Sequence, residues 1–226
     1  MNENKGNQYF IDSLKFTGLF LALIWLVKLI EFVFHLDLGH LGIYPRTLAG
    51  SVGIFTGPLV HGDVNHLISN SFPIAFLGVG LFYFYRKAAF YVIASIYLLS
   101  GFWVWVAARP AFHIGASGIV YGMMFFLLLA GFLNMDKKQI SVSLIVLFLY
   151  GGYMFTGMTP LNNGVSWEAH LTGAAAGIFC AVMFRKYGKS SSGDEDPEGG
   201  DGLQNAHHTF GGEKILHIHY KKDQES

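Results

Sequence analysis

Charged residues and cysteine are both scarce in this 226-residue chain, and each shortage excludes a class of protein. Charged residues make up 13% of it, whereas soluble domains carry about 25%, which argues against a soluble domain. Its one cysteine, Cys180, excludes an intramolecular disulfide and a cysteine-based metal cluster, so we interpret it as a packing residue. The formal net charge is zero and no basic patch is interleaved with aromatics, so nothing in the sequence supports nucleic-acid binding.

Long apolar runs fill much of the chain, and its mean hydropathy is +0.41. Six of these runs approach the roughly 20 residues that a helix needs to cross a lipid bilayer. They cover residues 16–34, 64–85, 88–108, 114–133, 140–156 and 167–184. The sequence therefore predicts an all-α membrane protein with a six-transmembrane-helix domain over residues 16–186, in which a long outer loop joins the first two helices.

Basic residues alternate between the two sides of this predicted bundle. They follow the second, fourth and sixth segments as Arg86, Lys87, Lys137, Lys138, Arg185 and Lys186. The loops on the other side carry only Arg46 and Arg109. Because basic loops remain in the cytoplasm, both termini are predicted to be cytoplasmic. The first segment is too long for a cleavable signal peptide. The minimal length of the chain and the lack of a transit peptide favour the inner membrane of a bacterium.

The two ends of the chain are predicted to lie outside the membrane. Residues 1–15 form a cytoplasmic N-terminal segment, and residues 187–226, rich in Gly, Ser and acidic residues, form a flexible cytoplasmic tail. Within the tail, residues 213–222 alternate apolar and polar side chains and predict one short strand. A metal site in the tail is disfavoured, because the tail histidines lack a fixed spacing to other ligands; they are His207, His208, His217 and His219.

A serine between glycines stands where the fourth apolar segment begins. In the run Gly115-Ala116-Ser117-Gly118, the small residues suit close helix packing in lipid. The same run suits a nucleophile held beside outward-pointing backbone N–H groups. The predicted orientation puts Ser117 near the outer surface, at the same depth as His66, Asn70 and His170. Polar groups in a membrane are costly, so this gathering favours a functional site.

A histidine on the sixth segment has the spacing of a partner for Ser117. On one helical face, His170 is followed only by small residues such as Gly173 and Gly177, and Gly118 and Gly122 form a matching face beside the serine. Two such faces let helices approach closely, which a Ser–His hydrogen bond of about 2.6–3.2 Å requires. One turn below the serine, Tyr121 is predicted to pack against the imidazole.

His66 and Asn70 are four residues apart and therefore project from one face of the second helix. Asp63 is placed to cap that helix. The pair is open to two interpretations: hydrogen-bond donors aimed at one point, or polar side chains that satisfy neighbouring backbone groups.

Three motifs together resemble the rhomboid family of intramembrane serine proteases. They read His61…His66-Leu67-x-x-Asn70, Gly115-x-Ser117-Gly118-x-x-Tyr121 and Ala169-His170-x-x-Gly173-x-x-x-Gly177. They fall on three of the six predicted helices, in the order found in the family. Gly-x-Ser-Gly alone is a weak signal, and the combination is specific.

The resemblance implies a Ser–His dyad that needs no cofactor and no metal. Ser117 would be the nucleophile and His170 the general base. His66 and Asn70 would donate to the oxyanion together with the Ser117 backbone N–H. The supporting residues would be Tyr121, which stacks on His170, the loop residue His61, Gly115 and Gly118. The implied substrates are single-pass membrane proteins, cut within their transmembrane segments near the outer face.

One family feature is missing. Many members carry a Trp-Arg pair in the first outer loop, where this chain has Val52-Gly53, and Arg46 is the candidate substitute. Two alternatives to a protease stay open: a catalytically silent relative that binds membrane clients, and a metal site built from histidines. The second lacks a His-Glu-x-x-His motif. An α/β-hydrolase is excluded because its Gly-x-Ser-x-Gly motif requires glycine where Ile119 stands.

Overall fold

The computed structural model describes residues 3–160, 166–184 and 187. Eight α-helices occur in this part of the chain. They are α1 (Glu3–Phe34), α2 (Leu48–Ser51), α3 (Gly53–Thr56), α4 (Val64–Phe84), α5 (Ala89–Ala107), α6 (Ser117–Asn134), α7 (Lys137–Thr156) and α8 (Trp167–Phe184). The predicted tail, with its short strand and its four histidines, lies outside the described residues apart from Tyr187.

The predicted all-α membrane fold is confirmed, since the six long helices coincide with the six apolar segments. Five of them, α1, α4, α5, α6 and α8, are long and apolar enough to cross a membrane. The 20-residue helix α7 stands at the fifth predicted segment, and its crossing stays a prediction. α1 begins at Glu3, well before its apolar segment, so the residues that precede the segment belong to the same helix.

Helix α6 lies at the centre of the bundle, and its neighbours are α4, α5, α7 and α8. Its apolar side chains, such as Phe126 and Leu127, are buried in the main core. The outer helices differ, since large apolar side chains such as Phe72 (73% exposed) and Phe148 (88% exposed) point away from the protein. Apolar side chains facing outward around a helical bundle fit a lipid surrounding.

Helices α6 and α8 approach closely through the two glycine faces predicted from the sequence. A Cβ atom at Gly173 would collide with the carbonyl oxygen of Gly118, and one at Gly177 would collide with that of Gly122. Any larger residue at these two α8 positions would hold the helices apart. The small residues therefore bring the beginning of α8, with His170, against the beginning of α6, with Ser117.

The loop over residues 35–63 is tied to the segment that leads into α6. Ile43 and His113 exchange backbone hydrogen bonds, each of 2.9 Å, and the Gly115 N–H donates to the Gly57 carbonyl at 3.0 Å. These bonds hold the chain immediately before Ser117 from the loop side. The segment immediately before Ser117 is not helical, and each bond satisfies a backbone group that no helical hydrogen bond satisfies.

Arg46 anchors the same loop to the end of α5. Its guanidinium donates to the carbonyl oxygens of Ala108 at 2.8 Å and Val106 at 3.3 Å. The indole N–H of Trp105 donates in return to the Thr47 carbonyl at 2.9 Å. A cation at a helix C-terminus also interacts favourably with the helix dipole. Arg46 thus supplies an attachment for the loop, which answers the question raised by the missing Trp-Arg pair.

Candidate active site

A cavity of about 900 Å³ lies among the N-terminal ends of α4, α6 and α8. Its lining includes five residues that the sequence singled out: Ser117, His170, His66, Asn70 and Tyr121. They come from three helices that are far apart along the chain. The other predicted site residues, His61, Gly115 and Gly118, are outside the lining but next to it. The rings of His61 and His66 have centroids 5.2 Å apart, Gly115 lies against the same His66 ring, and Gly118 follows Ser117 in the chain. The structure therefore brings together the whole set.

Gly115 is required by its backbone and by its neighbour. Its φ of +100° is a conformation that residues with a side chain rarely adopt. A Cβ atom there would also lie 2.6 Å from Cε1 and 2.7 Å from Nε2 of the His66 ring. The bare glycine lets this ring lie against the turn that precedes Ser117. The His66 imidazole is therefore placed beside the predicted nucleophile.

Ser117 is the first residue of α6, where backbone N–H groups lack the partners they would have inside a helix. The N–H of Ala116 donates to Nε2 of His61 at 3.4 Å, and that of Gly115 is taken by the loop. Among the described residues, the Ser117 N–H has no acceptor. A helix N-terminus with a free N–H favours negative charge.

His170 is buried and held on two sides. Its ring stacks on Tyr121, with centroids 4.2 Å apart and planes 9° from parallel. Its Nδ1 lies 2.7 Å from the carbonyl oxygen of Gly157, at the end of α7. Gly157 did not stand out in the sequence, since the contact is made by the main chain and any residue has a carbonyl.

Ser117 and His170 face the same cavity across the α6–α8 contact. Within the described part of the chain, the hydrogen bonds include none between the Ser117 hydroxyl and the His170 ring. Catalytic hydrogen bonds are often long without substrate and tighten in the Michaelis complex. The geometry thus juxtaposes the two residues, and their predicted roles remain predictions.

The two interpretations of His66 and Asn70 both have a counterpart in the structure. The Asn70 amide donates to the His66 carbonyl at 2.9 Å, so the side chain does satisfy a backbone group. An amide nitrogen carries two hydrogens, which leaves one for a ligand in the cavity. Asp63 caps α4 as predicted by accepting from the His66 N–H at 2.8 Å, and this bond lowers the pKa of its carboxyl.

His61 lies behind the cavity as a structural link. Its Nε2 accepts from the Ala116 N–H, and its Nδ1 lies 3.3 Å from the Leu59 carbonyl. Burial and, to a smaller extent, the neighbouring His66 lower the pKa of His61 to about 4. Lys28 reaches the same loop, since its ammonium donates to the His61 carbonyl at 2.8 Å and pairs with Glu31 at 3.1 Å. The neutral imidazole thereby holds the turn before Ser117.

A second polar group joins the α5–α6 connection to α8. His113 Nδ1 lies 2.6 Å from the Ser166 hydroxyl, its Nε2 lies 3.0 Å from the Arg109 carbonyl, and burial lowers its pKa. Arg109 pairs with the buried Glu168 at 3.6 Å. No sequence signal reveals this group, because its members are distant along the chain and form no known motif. Within the described ranges, no three His, Cys, Asp or Glu side chains are grouped as a metal site would require.

The chain is similar to known proteins, both to a family profile and to single sequences. The family profile described as Rhomboid domain matches residues 49–187. An uncharacterized protein of Mycobacterium tuberculosis is 35% identical over 172 residues, which are 73% of this chain and 72% of that protein. One from Mycobacterium leprae is 33% identical over 174 residues, covering 73% and 68% of the two chains. RHOMBOID-like protein 4 of Arabidopsis thaliana is 30% identical over 131 residues, 55% of this chain and 32% of that protein.

No solved structure matches the chain significantly. The profile match nevertheless spans more than half of the chain, from α2 to the end of α8, and includes every motif residue of the cavity. The apolar helices further indicate that the protein is integral to a membrane and crosses it several times. The chain belongs to the rhomboid family.

Proposed function

We propose that this protein is an intramembrane serine endopeptidase that cuts transmembrane segments of other membrane proteins. Proteins of the rhomboid family are usually serine proteases, and the observation that carries the proposal is the shared cavity. It combines a hydroxyl, an imidazole and two further donors from three helices. Such a set is what acyl transfer needs: a nucleophile, a base and stabilisation of an oxyanion.

In the first step the Ser117 hydroxyl attacks the carbonyl carbon of a peptide bond while its proton passes to Nε2 of His170. The carbonyl oxygen becomes an oxyanion, which accepts from the Ser117 N–H, from His66 and from the free Asn70 hydrogen. His170 then gives the proton to the leaving amine nitrogen. The C–N bond breaks, and an ester joins the substrate to Ser117.

In the second step water attacks this ester and passes a proton to His170. The new oxyanion is held by the same donors, and its collapse returns the proton to the serine oxygen. A carboxylic acid is released and the dyad is restored. Tyr121 takes over the orienting role that an aspartate has in a triad, because its ring is stacked on the base.

The substrates we propose are single-pass membrane proteins, and the membrane is a bacterial inner membrane with both termini of this chain in the cytoplasm. The motif residues then lie near the outer face, where water for hydrolysis is available. A peptide bond in an intact helix is shielded by its own turn, so cleavage requires local unwinding of the substrate.

One observation favours a client-binding protein without activity, namely that Ser117 and His170 are not hydrogen bonded. The two proposals differ in what happens to single-pass proteins in cells. We expect fragments cut near the outer face of the membrane in cells with the wild-type chain and intact proteins with Ser117→Ala. Ser141→Ala, a serine exposed on α7, is the matched control and should behave as wild type. Quantitative proteomics of membranes and medium measures this, and equal fragment yields for all three would reject the protease.

A further inference from the structure

The carbonyl group of Gly157 determines which nitrogen of the His170 ring carries hydrogen. A carbonyl oxygen can only accept a hydrogen bond, and it lies 2.7 Å from Nδ1. The hydrogen must therefore be on Nδ1. In a neutral imidazole this leaves Nε2 with its lone pair free, and Nε2 is the atom that has to take the proton from Ser117.

Space around Gly157 imposes a second requirement. A Cβ atom at this position would collide with the hydroxyl of Tyr121, and it would lie 3.0 Å from Tyr121 Cζ and 3.1 Å from His170 Nδ1. Any other residue would therefore push on both rings of the stacked pair. The residue that supplies the carbonyl also has to be the one without a side chain.

We infer that Gly157 is a positioning residue for the base: its carbonyl fixes His170 as the Nδ1–H tautomer, and its missing side chain lets the Tyr121–His170 stack close. This inference rests on the proposed function for its catalytic consequence. The structural part concerns the tautomer alone and can be tested without any activity. In this arrangement the main-chain carbonyl supplies the hydrogen bond to Nδ1 that an aspartate supplies in a triad, and the Tyr121 ring holds the plane of the imidazole.

The steric part is tested with a pair of alanine variants on and next to α7. Gly157→Ala should lower the rate at which a fluorophosphonate labels Ser117 by about 100-fold, the cost of a small misplacement of a catalytic group. Gly152→Ala is the matched control, since a Cβ atom there meets nothing within 4 Å, and it should label at the wild-type rate. Wild-type labelling by Gly157→Ala would overturn the inference.

Removal of the atom in the way should restore the base. The double variant Gly157→Ala/Tyr121→Phe lacks the hydroxyl with which the new methyl group collides, and it should label faster than Gly157→Ala alone. Tyr121→Phe keeps the stacked ring and supplies the reference rate. An absence of any rescue would count against the inference.

The tautomer itself is measured by nitrogen-15 NMR of the wild-type protein labelled at histidine. The signal of His170, identified among the ten histidines by its loss in His170→Ala, should have the shifts of a protonated Nδ1 and an unprotonated Nε2. The reverse tautomer would overturn the inference even if Ser117 reacts. An Nδ1–H tautomer in a protein that never reacts would leave the inference standing and reject the proposed function.

Discussion

Asn70 contributes to the cavity through a single amide hydrogen, because its other one is bonded to the His66 carbonyl. If that hydrogen stabilises the oxyanion, Asn70→Ala should lower the rate of cleavage or labelling by about 10²–10³-fold, the usual cost of one lost donor. Asn65→Ala, an exposed asparagine on the same helix, is the control and should change nothing. Equal rates for the two variants would show that Asn70 only satisfies the backbone.

The pH dependence of stability tests whether His61 is neutral in the folded protein. The pKa of His61 is about 4 in the folded protein and 6.5 in a free histidine. As the pH is lowered, His61 therefore takes up a proton in the unfolded chain at a higher pH than in the folded protein. Its contribution to stability is therefore complete above pH 6.5 and is lost as pH falls towards 4. The slope is at most about 1.4 kcal/mol per pH unit. We expect the thermal midpoint in detergent to fall over this range, and to fall less in His61→Gln.

The charged and polar neighbours of His61 are shared by that variant, which makes the comparison specific. Lys28, Glu31 and His66 stay in place, so the two proteins differ only at residue 61. If His61→Gln loses stability with the same slope as wild type, the buried imidazole is not the group that responds.

The residues of this site differ in how far the sequence reveals them. Ser117, His170, His66 and Asn70 were found because their types and spacings form motifs. Gly157 was not, since its contribution is a carbonyl that every residue possesses, and its position depends on where α7 ends. The same holds for the His113–Ser166 contact, which joins residues 53 positions apart.

At the scale of helices, the contact between α6 and α8 sets the distance between nucleophile and base. Gly173→Ala adds a methyl group that collides with the Gly118 carbonyl and lies 3.0 Å from its Cα. Overpacking of this kind costs roughly 1–3 kcal/mol, and we expect a lower unfolding midpoint together with slower labelling. Gly18→Ala on α1, where a Cβ meets nothing within 4 Å, is the control. Wild-type behaviour of Gly173→Ala would show that the helices have room to separate.

The pattern of small residues predicted this helix pair correctly, because glycine at two faces has few explanations other than close packing in lipid. The loop before α4 was harder to predict. Its attachment through Arg46 and Trp105 depends on carbonyls at the end of α5, and neither residue occupies the place of the family's Trp-Arg pair. A motif is defined by positions along the chain, whereas this contact depends on the path of the loop in space.

For the whole molecule, the positions of the apolar segments followed from hydrophobicity alone, because only helices satisfy their own backbone in lipid. The direction in which they cross remains a prediction from the basic loops. It can be measured in a Cys180→Ala background, which removes the one native thiol. A membrane-impermeant maleimide should label Leu48→Cys on intact cells, and Met135→Cys only after the membrane is opened; both positions are exposed. The opposite order would invert the topology.

The proposed activity depends on Ser117 being a nucleophile activated by His170. The most direct measurement is mass spectrometry of the detergent-solubilised protein after treatment with a fluorophosphonate, followed by peptide mapping. We predict one phosphonate adduct, on Ser117, that is absent in Ser117→Ala and in His170→Ala, while Ser141→Ala is labelled as wild type. A wild-type protein that is folded but carries no adduct, or one whose adduct persists in His170→Ala at an unchanged rate, would contradict the account.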